Sequence, residues 1–501
     1  MHLRMIYKVK YSLIISTVLI IGLYSCKKWD EHTAVVNPAA TETIFEQISK
    51  RTNLNKFEEY LLKTGLDKEL NSSKIYTVWA PTDDALNSLD PAIIGDSARL
   101  RLFMSNHIST QAFYTTNVQT SVRVPLLNGK RATLTTTKFD EASITEANFT
   151  ARNGVLHIID KAAPLLQNLW EFINSTSAQY AQNAFIVSQN FTGFDPSTAI
   201  IDSISSTTGL PIYKPGTGLT SRNRYNDQVY DLKNETKQYT YFLLNNAALK
   251  KEVDSLTTFY KTSTSDSTNN LSNMSVVRDA IVEGEYSIEQ LPATLVSKFG
   301  VVIPINKNAI VETHRVSNGV VYIVNELNFL TKDKIQNLFV QGENPRGYFR
   351  PTGEGVNPSN SIFIRNRANP ITKVLFTDLY ALGHGIAGLA INYQISNVPS
   401  AKYKVYWVAV NDTISITNNF WPTLPTATTP NPSPLFQQRL AMGSQTATTF
   451  PYINVQHLNY NEVLLGEYTQ TAYGTLNMFL IAALTGANNL TLDYIRLEPQ
   501  F

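Results

Sequence analysis

The chain has 501 residues, of which 43% are hydrophobic and 16% are charged. Such a length suffices for roughly three domains, each able to bury its own core. With 42 basic and 40 acidic side chains the net charge is +2, which leaves no basic field to neutralise phosphates and argues against nucleic-acid binding. The 25 Tyr and 23 Phe residues favour extracellular β-rich domains and sugar-facing surfaces.

The N-terminal segment has a basic start, an apolar run over residues 11–23, and Cys26, the single cysteine of the chain. The run of about 13 residues is shorter than the ~20 that a membrane-spanning helix needs, and the pattern is typical of a secretory signal. With a cysteine at the cleavage point, residues 1–25 resemble a bacterial lipoprotein signal peptide, in which Cys26 is acylated. An ordinary signal peptide that contains a cysteine is the alternative. We expect an exported protein without disulfides that acyl chains hold in a bilayer.

The residues after Cys26 bear on where such an anchored protein would face. Residues 27–31 (KKWDE) resemble the surface-export signal of some Gram-negative lipoproteins, whereas a solvated leader is the alternative. Residues 26–40 would then form a tether. This predicts a lipid-anchored protein of the outer membrane that faces the cell exterior.

Two motifs mark the first folded region. Residues 76–86 (YTVWAPTDDAL) predict a strand that Pro81 stops, followed by a helix with Thr82 as its cap and Asp83 and Asp84 at its positive end. Residues 153–160 (NGVLHIID) combine the Asn-Gly hairpin signal with an apolar strand. Between the motifs, residues 100–107 predict an apolar helix and residues 128–129 predict a second hairpin turn.

This combination resembles the fasciclin domain over residues 41–165. Residues 44–48 and 57–66 fit the opening helices of that family, and His107 falls where the family often carries a histidine. The family's preceding tyrosine is replaced here by Asn106. The resemblance implies an α+β domain, in which we expect His107 and His157 to form internal hydrogen bonds.

A weaker copy of the same motifs follows. Residues 239–249 align without gaps on residues 76–86, and residues 318–325 align on residues 153–160. This predicts a divergent fasciclin-like domain over residues 166–330, with an inserted loop at 192–234 that is rich in Gly, Ser, Thr, Asn and Pro. Long loops of this kind are usually either functional or disordered, and both alternatives stay open.

The third region, residues 331–501, has the pattern of strands. Apolar side chains recur at every second position over residues 389–395 and 403–409, without a helical period. Residues 490–499 are similar to the last strand of jelly-roll domains of the galactose-binding and carbohydrate-binding-module type. The predicted fold class is therefore α+β fasciclin-like domains in tandem, followed by an all-β jelly-roll sandwich.

Aromatic side chains in the predicted loops of the third region are candidates for stacking on sugar rings, with packing in the core or in turns as the alternative. These candidate ligand-binding residues are Trp421, Phe420, Tyr348 and Phe349.

The sequence shows none of the residue motifs that are typical of enzyme active sites. The seven histidines show no metal-ligand spacing, and the sequence contains no phosphate loop and no Gly-x-Ser-x-Gly motif. His384 lies between two glycines, which is typical of a turn, and Asp83 and Asp84 fit helix capping better than acid–base catalysis. We expect no catalytic residue, no metal and no cofactor, with an enzyme as a third possibility.

The predicted function is that of a non-catalytic surface lipoprotein. Proteins of this build resemble accessory subunits of TonB-dependent outer-membrane importers of nutrients, so the expected partners are a glycan, the importer, or both. The main alternative is an adhesion protein that makes protein–protein contacts through the inserted loop.

Overall fold

In a computed structural model of the chain, the structure describes residues 41–369, 371–411, 435–484 and 489–501. Cys26, Phe420 and Trp421 lie outside these residues. None of the helices in the described ranges has the length and apolar character needed to cross a membrane. The described residues form two compact units. The first contains residues 41–172, 233–238 and 315–319, and the second contains the other described residues.

The first unit begins with short helices: α1 (Ile44–Ser49), α2 (Asn55–Thr64), α3 (Leu66–Leu70), α4 (Pro91–Ile94) and α5 (Ser97–Ser105). Thr43 and Glu46 form a capping box that starts α1, and Asp96 accepts hydrogen bonds from the first backbone N–H groups of α5. Gly65 ends α2 with φ +68°, a left-handed conformation that glycine adopts without strain.

A mixed sheet follows in the order β2-β1-β7-β6-β5-β4-β3. Its central strands β1 and β7 are parallel and pair Tyr76 with Gly154 through Pro81 with Ile159. The strands are β1 (Tyr76–Pro81), β2 (Ile108–Ser109), β3 (Val122–Pro125), β4 (Arg131–Leu134), β5 (Lys138–Phe139), β6 (Ala142–Ala151) and β7 (Gly154–Ile159).

The core of the first unit consists of two clusters of buried side chains that share strands β1 and β7. The helices cover one cluster, which includes Phe57, Val78 and Leu156. Trp79 belongs to the other cluster and stacks on Phe139, with ring centroids 4.3 Å apart. Successive residues of each central strand therefore enter different clusters, which explains why β1 is buried along its whole length.

One local prediction differs from the structure. Residues 83–88 form turns rather than the expected helix. Thr82 does accept a hydrogen bond from the Ala85 N–H at 3.3 Å, whereas Asp83 accepts one from the Lys56 N–H at 2.7 Å, at the start of α2. Asp83 thus interacts with a helix distant in sequence, and the segment after Thr82 buries too little apolar surface to fold as a helix of its own.

The helices of the following region are α6 (Leu169–Ser175), α7 (Ala181–Ser188), α8 (Arg224–Gln228), α9 (Asn246–Leu256) and α10 (Ser265–Val277). In this region a helix does follow the strand, as the alignment with residues 76–86 predicts. The buried strand β12 (Tyr239–Leu244) ends before Asn245, and the Asn245 side chain accepts a hydrogen bond from the Ala248 N–H and caps α9. The strands are β8 (Asn190–Phe194), β9 (Ile201–Ile204), β10 (Pro211–Tyr213), β11 (Leu219–Asn223), β12 (Tyr239–Leu244), β13 (Ile281–Glu283), β14 (Thr294–Val296), β15 (Val302–Pro304), β16 (Ile310–Val316) and β17 (Gly319–Val324).

A four-stranded sheet in the order β13-β12-β17-β16 lies in this region. The predicted inserted loop has regular structure: β8 pairs with β11, β9 pairs with β10, and α8 follows. The α+β character expected from the fasciclin resemblance is confirmed, as is the all-β character of the C-terminal region.

The C-terminal region starts with α11 (Thr331–Lys334) and contains three sheets, in the orders β18-β29-β23-β26, β19-β22-β27-β24-β25 and β20-β21-β28. Their shared core includes Tyr393, Tyr403 and Trp407. The strands are β18 (Leu338–Gln341), β19 (Gly347–Phe349), β20 (Ile362–Ala368), β21 (Leu375–Ala381), β22 (Ala390–Val398), β23 (Lys402–Val408), β24 (Gln437–Met442), β25 (Ile453–Asn454), β26 (Val463–Thr469), β27 (Gly474–Ala482), β28 (Leu490–Leu492) and β29 (Tyr494–Gln500).

Candidate functional site

A groove of about 440 Å³ lies in the C-terminal region, where the turn between β20 and β21 meets the junction of β28 and β29. Its walls combine aromatic rings, aliphatic side chains and hydrogen-bonding groups. The lining residues are Gln341, Asn369, Thr372, Val374, Leu375, Phe376, Thr377, Val408, Tyr460, Asp493 and Tyr494.

Asn369 shapes the turn on one side of the groove. Its side-chain oxygen accepts hydrogen bonds from the backbone N–H groups of Ile371 and Thr372, at 2.9 and 3.1 Å. Asn side chains favour turns for this reason. Val374 and Leu375, which follow this turn and line the groove, are exposed at 63% and 65% of their surface.

Phe376 and Tyr460 form the aromatic wall. Their ring centroids are 6.1 Å apart and the ring planes meet at 77°, an edge-to-face arrangement that aromatic pairs prefer. The guanidinium of Arg367 lies 5.2 Å from the centroid of the Phe376 ring. Arg367 in turn lies 3.3 Å from the carboxylate of the fully buried Asp378. The buried ion pair of Arg367 and Asp378 therefore lies next to the Phe376 ring that lines the groove.

Asp378 also holds a second arginine of β20. Arg365 donates to it through Nε at 2.8 Å and through Nη2 at 2.5 Å, a bidentate pair that fixes the orientation of both groups. All three charged side chains are buried. Because the pairing joins neighbouring strands β20 and β21, it holds the base of the turn in one conformation.

The carboxyl group of Asp493 is a weaker acid than that of an ordinary aspartate. Burial, together with the negative charges of Asp378 and Glu343, raises its pKa from 3.8 to about 7, although Arg367 opposes the shift. The backbone around it is tightly packed, since a Cβ on Gly342 would lie 1.9 Å from the carbonyl oxygen of Leu492. The groove therefore contains a carboxyl group that can donate or accept a hydrogen bond near neutral pH.

The groove can bind a ligand with an apolar face and several hydroxyl groups. The rings of Phe376 and Tyr460 offer surfaces for stacking, while Gln341, Asp493 and the threonines offer hydrogen bonds. Tyr494 donates a hydrogen bond to Glu462 at 3.1 Å, which orients its ring at the groove. Over the residues that the structure describes, no cluster of three or more His, Cys, Asp or Glu side chains could hold a metal ion.

The predicted ligand-binding residues do not line this groove. Tyr348 and Phe349 lie in β19, where Tyr348 packs against the large core and the ring of Phe349 lies 6.3 Å from that of Phe479. Phe420 and Trp421 are outside the described residues, so their role stays a prediction, as does the acylation of Cys26.

Sequence reasoning missed Phe376, Tyr460 and Asp493. A signal existed for Asp493, because an acidic residue interrupts the apolar segment 490–497 at the point where two strands join. Tyr460 lies in a loop and Phe376 in an ordinary strand pattern, and nothing local distinguishes either from a packing residue.

The histidines of the first unit form the internal hydrogen bonds that we expected. The ring of His107 lies 3.0 Å from the Phe103 carbonyl oxygen through Nδ1, and its Nε2 accepts from the Ala163 N–H at 2.9 Å. His157 contacts the Phe113 carbonyl oxygen at 3.0 Å through Nε2. Burial lowers the pKa of both rings, that of His107 to about 4.

The other polar candidates have structural roles. His384 lies between Gly383 and Gly385, which both have φ +65°, and accepts a hydrogen bond from the Ile386 N–H at 3.2 Å. Asp84 accepts from the side chain of Asn87 at 3.3 Å.

Comparison with known proteins identifies a fasciclin domain at residues 52–163. No curated protein matches the chain. Among solved structures, the chain is similar to a FAS1 domain pair from the insect cell adhesion molecule Fasciclin I, at 17% identity, with 56% of this chain and 99% of that one covered and a TM-score of 0.22.

Two carbohydrate-binding modules are also similar in structure. One is a family 35 module from Clostridium thermocellum, at 13% identity and a TM-score of 0.21, covering 33% of this chain and 99% of that one. The other is CsCBM6-3 from Clostridium stercorarium in complex with cellobiose, at 9% identity and a TM-score of 0.19, covering 33% and 95%.

Proposed function

We propose that this chain is a non-catalytic surface lipoprotein that binds a glycan as an accessory subunit of an outer-membrane nutrient importer. The observation that carries the proposal is the groove between the β20–β21 turn and Asp493. It combines two aromatic rings with amide, hydroxyl and carboxyl groups, which matches the alternating apolar and hydroxylated faces of a sugar.

The buried charges beneath the groove support this role. Arg365, Arg367 and Asp378 hold the turn rigid, so a ligand would bind without the entropic cost of ordering it. Val374 and Leu375 line the groove and are largely exposed, so its apolar wall is open to a ligand from solvent.

Binding is tested by isothermal titration of the full chain, with Cys26→Ser to prevent acylation, against a panel of soluble glycans. Phe376→Ala and Tyr460→Ala should each weaken binding by roughly tenfold or more, since burying an aromatic side chain is worth about 1.5–3 kcal/mol. The control is Val311→Ala, which alters an exposed strand residue away from the groove. No heat with any glycan, or affinity unchanged in both aromatic variants, would contradict the proposal.

The anchor and the partner are tested separately. Labelled palmitate should appear on the protein in its host and disappear with Cys26→Ser, and protease added to intact cells should digest it. A pull-down from outer-membrane extract should recover an importer subunit. Protection from the protease would remove the outward-facing location from the proposal.

Adhesion through protein–protein contacts is the second candidate function. The inserted segment between α7 and α8 favours it, because this segment exposes several large apolar side chains, including Ile201, Ile204 and Leu210. Recovery of a matrix protein or a neighbouring-cell protein in the same pull-down, without an importer subunit, would favour adhesion.

A further inference from the structure

The four-stranded sheet β18-β29-β23-β26 has one face on the core of the C-terminal region and one face turned away from it. Along β29, Ile495 and Leu497 belong to the buried core. Successive side chains of a strand point to opposite faces, so Tyr494, Arg496 and Glu498 lie on the other face. We call this the outer face of the sheet.

Strand pairing places an aromatic and apolar row across the outer face. Arg496 lies directly opposite Phe339 of β18 and Tyr406 of β23, and Tyr406 lies opposite Leu464 of β26. Residues that are opposite each other in paired strands share a face. Phe339 and Leu464 are exposed at 50% and 51% of their surface. These four side chains, which we call the row, therefore offer a surface to a ligand.

Arg496 is held firmly at the centre of the row. It donates to Glu462 through Nε at 2.7 Å and through Nη2 at 2.6 Å, and to Glu498 through Nη1 at 3.1 Å. Its guanidinium lies 4.1 Å from the centroid of the Tyr406 ring. Bidentate pairing and stacking fix the plane of a guanidinium, so the middle of the row is ordered before any ligand binds.

The row is continuous with the groove described above. Tyr494 lines that groove, and its ring centroid lies 5.7 Å from that of Phe339, with the ring planes at 60°. Tyr494 also precedes Arg496 by two residues, a step of about 7 Å along β29. A ligand that leaves the groove along β29 therefore reaches the row directly.

A second cavity, of about 370 Å³, lies at the other end of β29. Its polar lining residues are Lys332, Gln336, Asn337 and Glu498. The strand extends about 14 Å from Tyr494 at the groove to Glu498 at this cavity, which is longer than one sugar unit. The groove, the row and the second cavity thus follow one another along a single strand.

The charges of the outer face indicate which ligand suits it. Arg496 already donates to two carboxylates, and Lys402 pairs with Glu467 at 2.5 Å. Lys404 lies opposite Glu467 and Glu498 on the neighbouring strands. Because carboxylates accompany these cations, the face has no excess of positive charge to attract an acidic polymer.

We propose that the groove, the row and the second cavity form one binding track for a neutral, linear polysaccharide that lies along β29. The inference rests on the glycan binding proposed above and specifies its ligand as a chain of several uncharged sugar units. The rings in the groove and the row stack on the apolar faces of successive sugars. The polar side chains of the two cavities form hydrogen bonds with the hydroxyl groups at either end.

The test is isothermal titration of the full chain, with Cys26→Ser, against disaccharides and hexasaccharides of the cello-, xylo-, manno- and malto-series. The hexasaccharide of the preferred series should bind at least tenfold more tightly than its disaccharide. Phe339→Ala and Tyr406→Ala should each weaken hexasaccharide binding about fivefold or more and leave disaccharide binding unchanged. Phe376→Ala, which alters the groove, should weaken the binding of both lengths.

Phe194→Ala is the matched control. Phe194 is a strand phenylalanine of similar exposure, 47%, and it belongs to the separate sheet of β8 and β11. Its replacement should leave the affinity for both lengths unchanged. Retention of disaccharide binding in Phe339→Ala and Tyr406→Ala shows at the same time that these variants are folded.

The outcomes separate the track from the groove. Equal affinity for the two lengths, or unchanged hexasaccharide affinity in both row variants, would overturn the track while disaccharide binding still supports the groove. Tighter binding of polygalacturonate than of any neutral hexasaccharide would overturn the neutral ligand. Loss of the importer subunit from the pull-down in Phe339→Ala, with unchanged hexasaccharide affinity, would assign the outer face to a protein instead. Absence of binding at both lengths would refute glycan binding itself, and the track with it.

Discussion

Lys334 and Asp279 form an ion pair whose two side chains are completely buried, with Nζ 2.8 Å from Oδ2. Lys334 ends the helix that precedes the β-sandwich, whereas Asp279 follows α10 of the preceding α+β region. The Lys334 ammonium also donates to the Ser275 carbonyl oxygen at 2.6 Å, and Ser297 donates to the second oxygen of Asp279 at 2.6 Å. The pair therefore links these two regions of the second unit.

Removal of one partner should be strongly destabilising. Lys334→Met leaves the buried Asp279 carboxylate with only the longer 3.5 Å contact to Arg278 Nε, so we expect the free energy of unfolding to fall by about 3–5 kcal/mol. Urea denaturation followed by circular dichroism measures this loss.

Two controls accompany the Lys334 variant. Lys334→Met combined with Asp279→Leu should recover much of the stability, because neither charge remains buried. Lys250→Met removes an exposed pair with Asp254 and should change stability by less than about 1 kcal/mol. Equal losses in the single and double variants would show that packing, rather than the charge, stabilises this position.

The first unit should lose stability in mild acid because of His107. The folded-state pKa of about 4 lies below the usual 6.5, so the unfolded chain binds a proton first as pH falls. Stability is complete above pH 6.5 and decreases by about 3 kcal/mol as pH falls to 4. Thermal melts across this pH range measure the change.

Variants of two histidines test whether His107 causes this loss of stability in mild acid. His107→Gln should flatten this part of the pH profile, whereas His457→Gln, which alters an exposed histidine, should leave it unchanged. An unaltered slope in His107→Gln would mean that carboxylates account for the acid sensitivity.

Asp493 should have the opposite pH dependence. Its folded-state pKa of about 7 is higher than the usual 3.8, so the folded protein retains a proton that the unfolded chain has lost. Stability from this group is highest below pH 4 and decreases as pH rises to 7. Asp493→Asn should therefore raise the melting temperature at pH 8 and leave it nearly unchanged at pH 4. A lower melting temperature at pH 8 would contradict the raised pKa.

Gly154 is required by the parallel pairing of β1 and β7. Its φ is +144°, and a Cβ there would lie 1.8 Å from the Tyr76 carbonyl oxygen. Gly154→Ala should cost more than about 4 kcal/mol, as expected where strain and a clash combine. Gly129→Ala is the control, with φ +84° but open space around it, and it should cost about 1 kcal/mol. Similar melting temperatures for the two variants would show that β1 and β7 can move apart.

Local patterns in the sequence predict several of the strands and turns. The alternation over residues 389–395 and 403–409 corresponds to β22 and β23, and β7 begins within the Asn-Gly pair at 153–154. These features depend on side-chain period and turn chemistry, which act over a few neighbouring residues.

The sequence by itself determined the order of the α+β and all-β regions and the buried strands β1 and β12. Only the tertiary structure decided that residues 83–88 form turns while the aligned segment forms α9, and that Asn369, Tyr460 and Asp493 share one groove. It also decided the pairing of Lys334 with Asp279. The reason is physical: a groove, a buried ion pair or a helix stabilised by packing depends on groups distant in sequence, whose proximity no local propensity specifies.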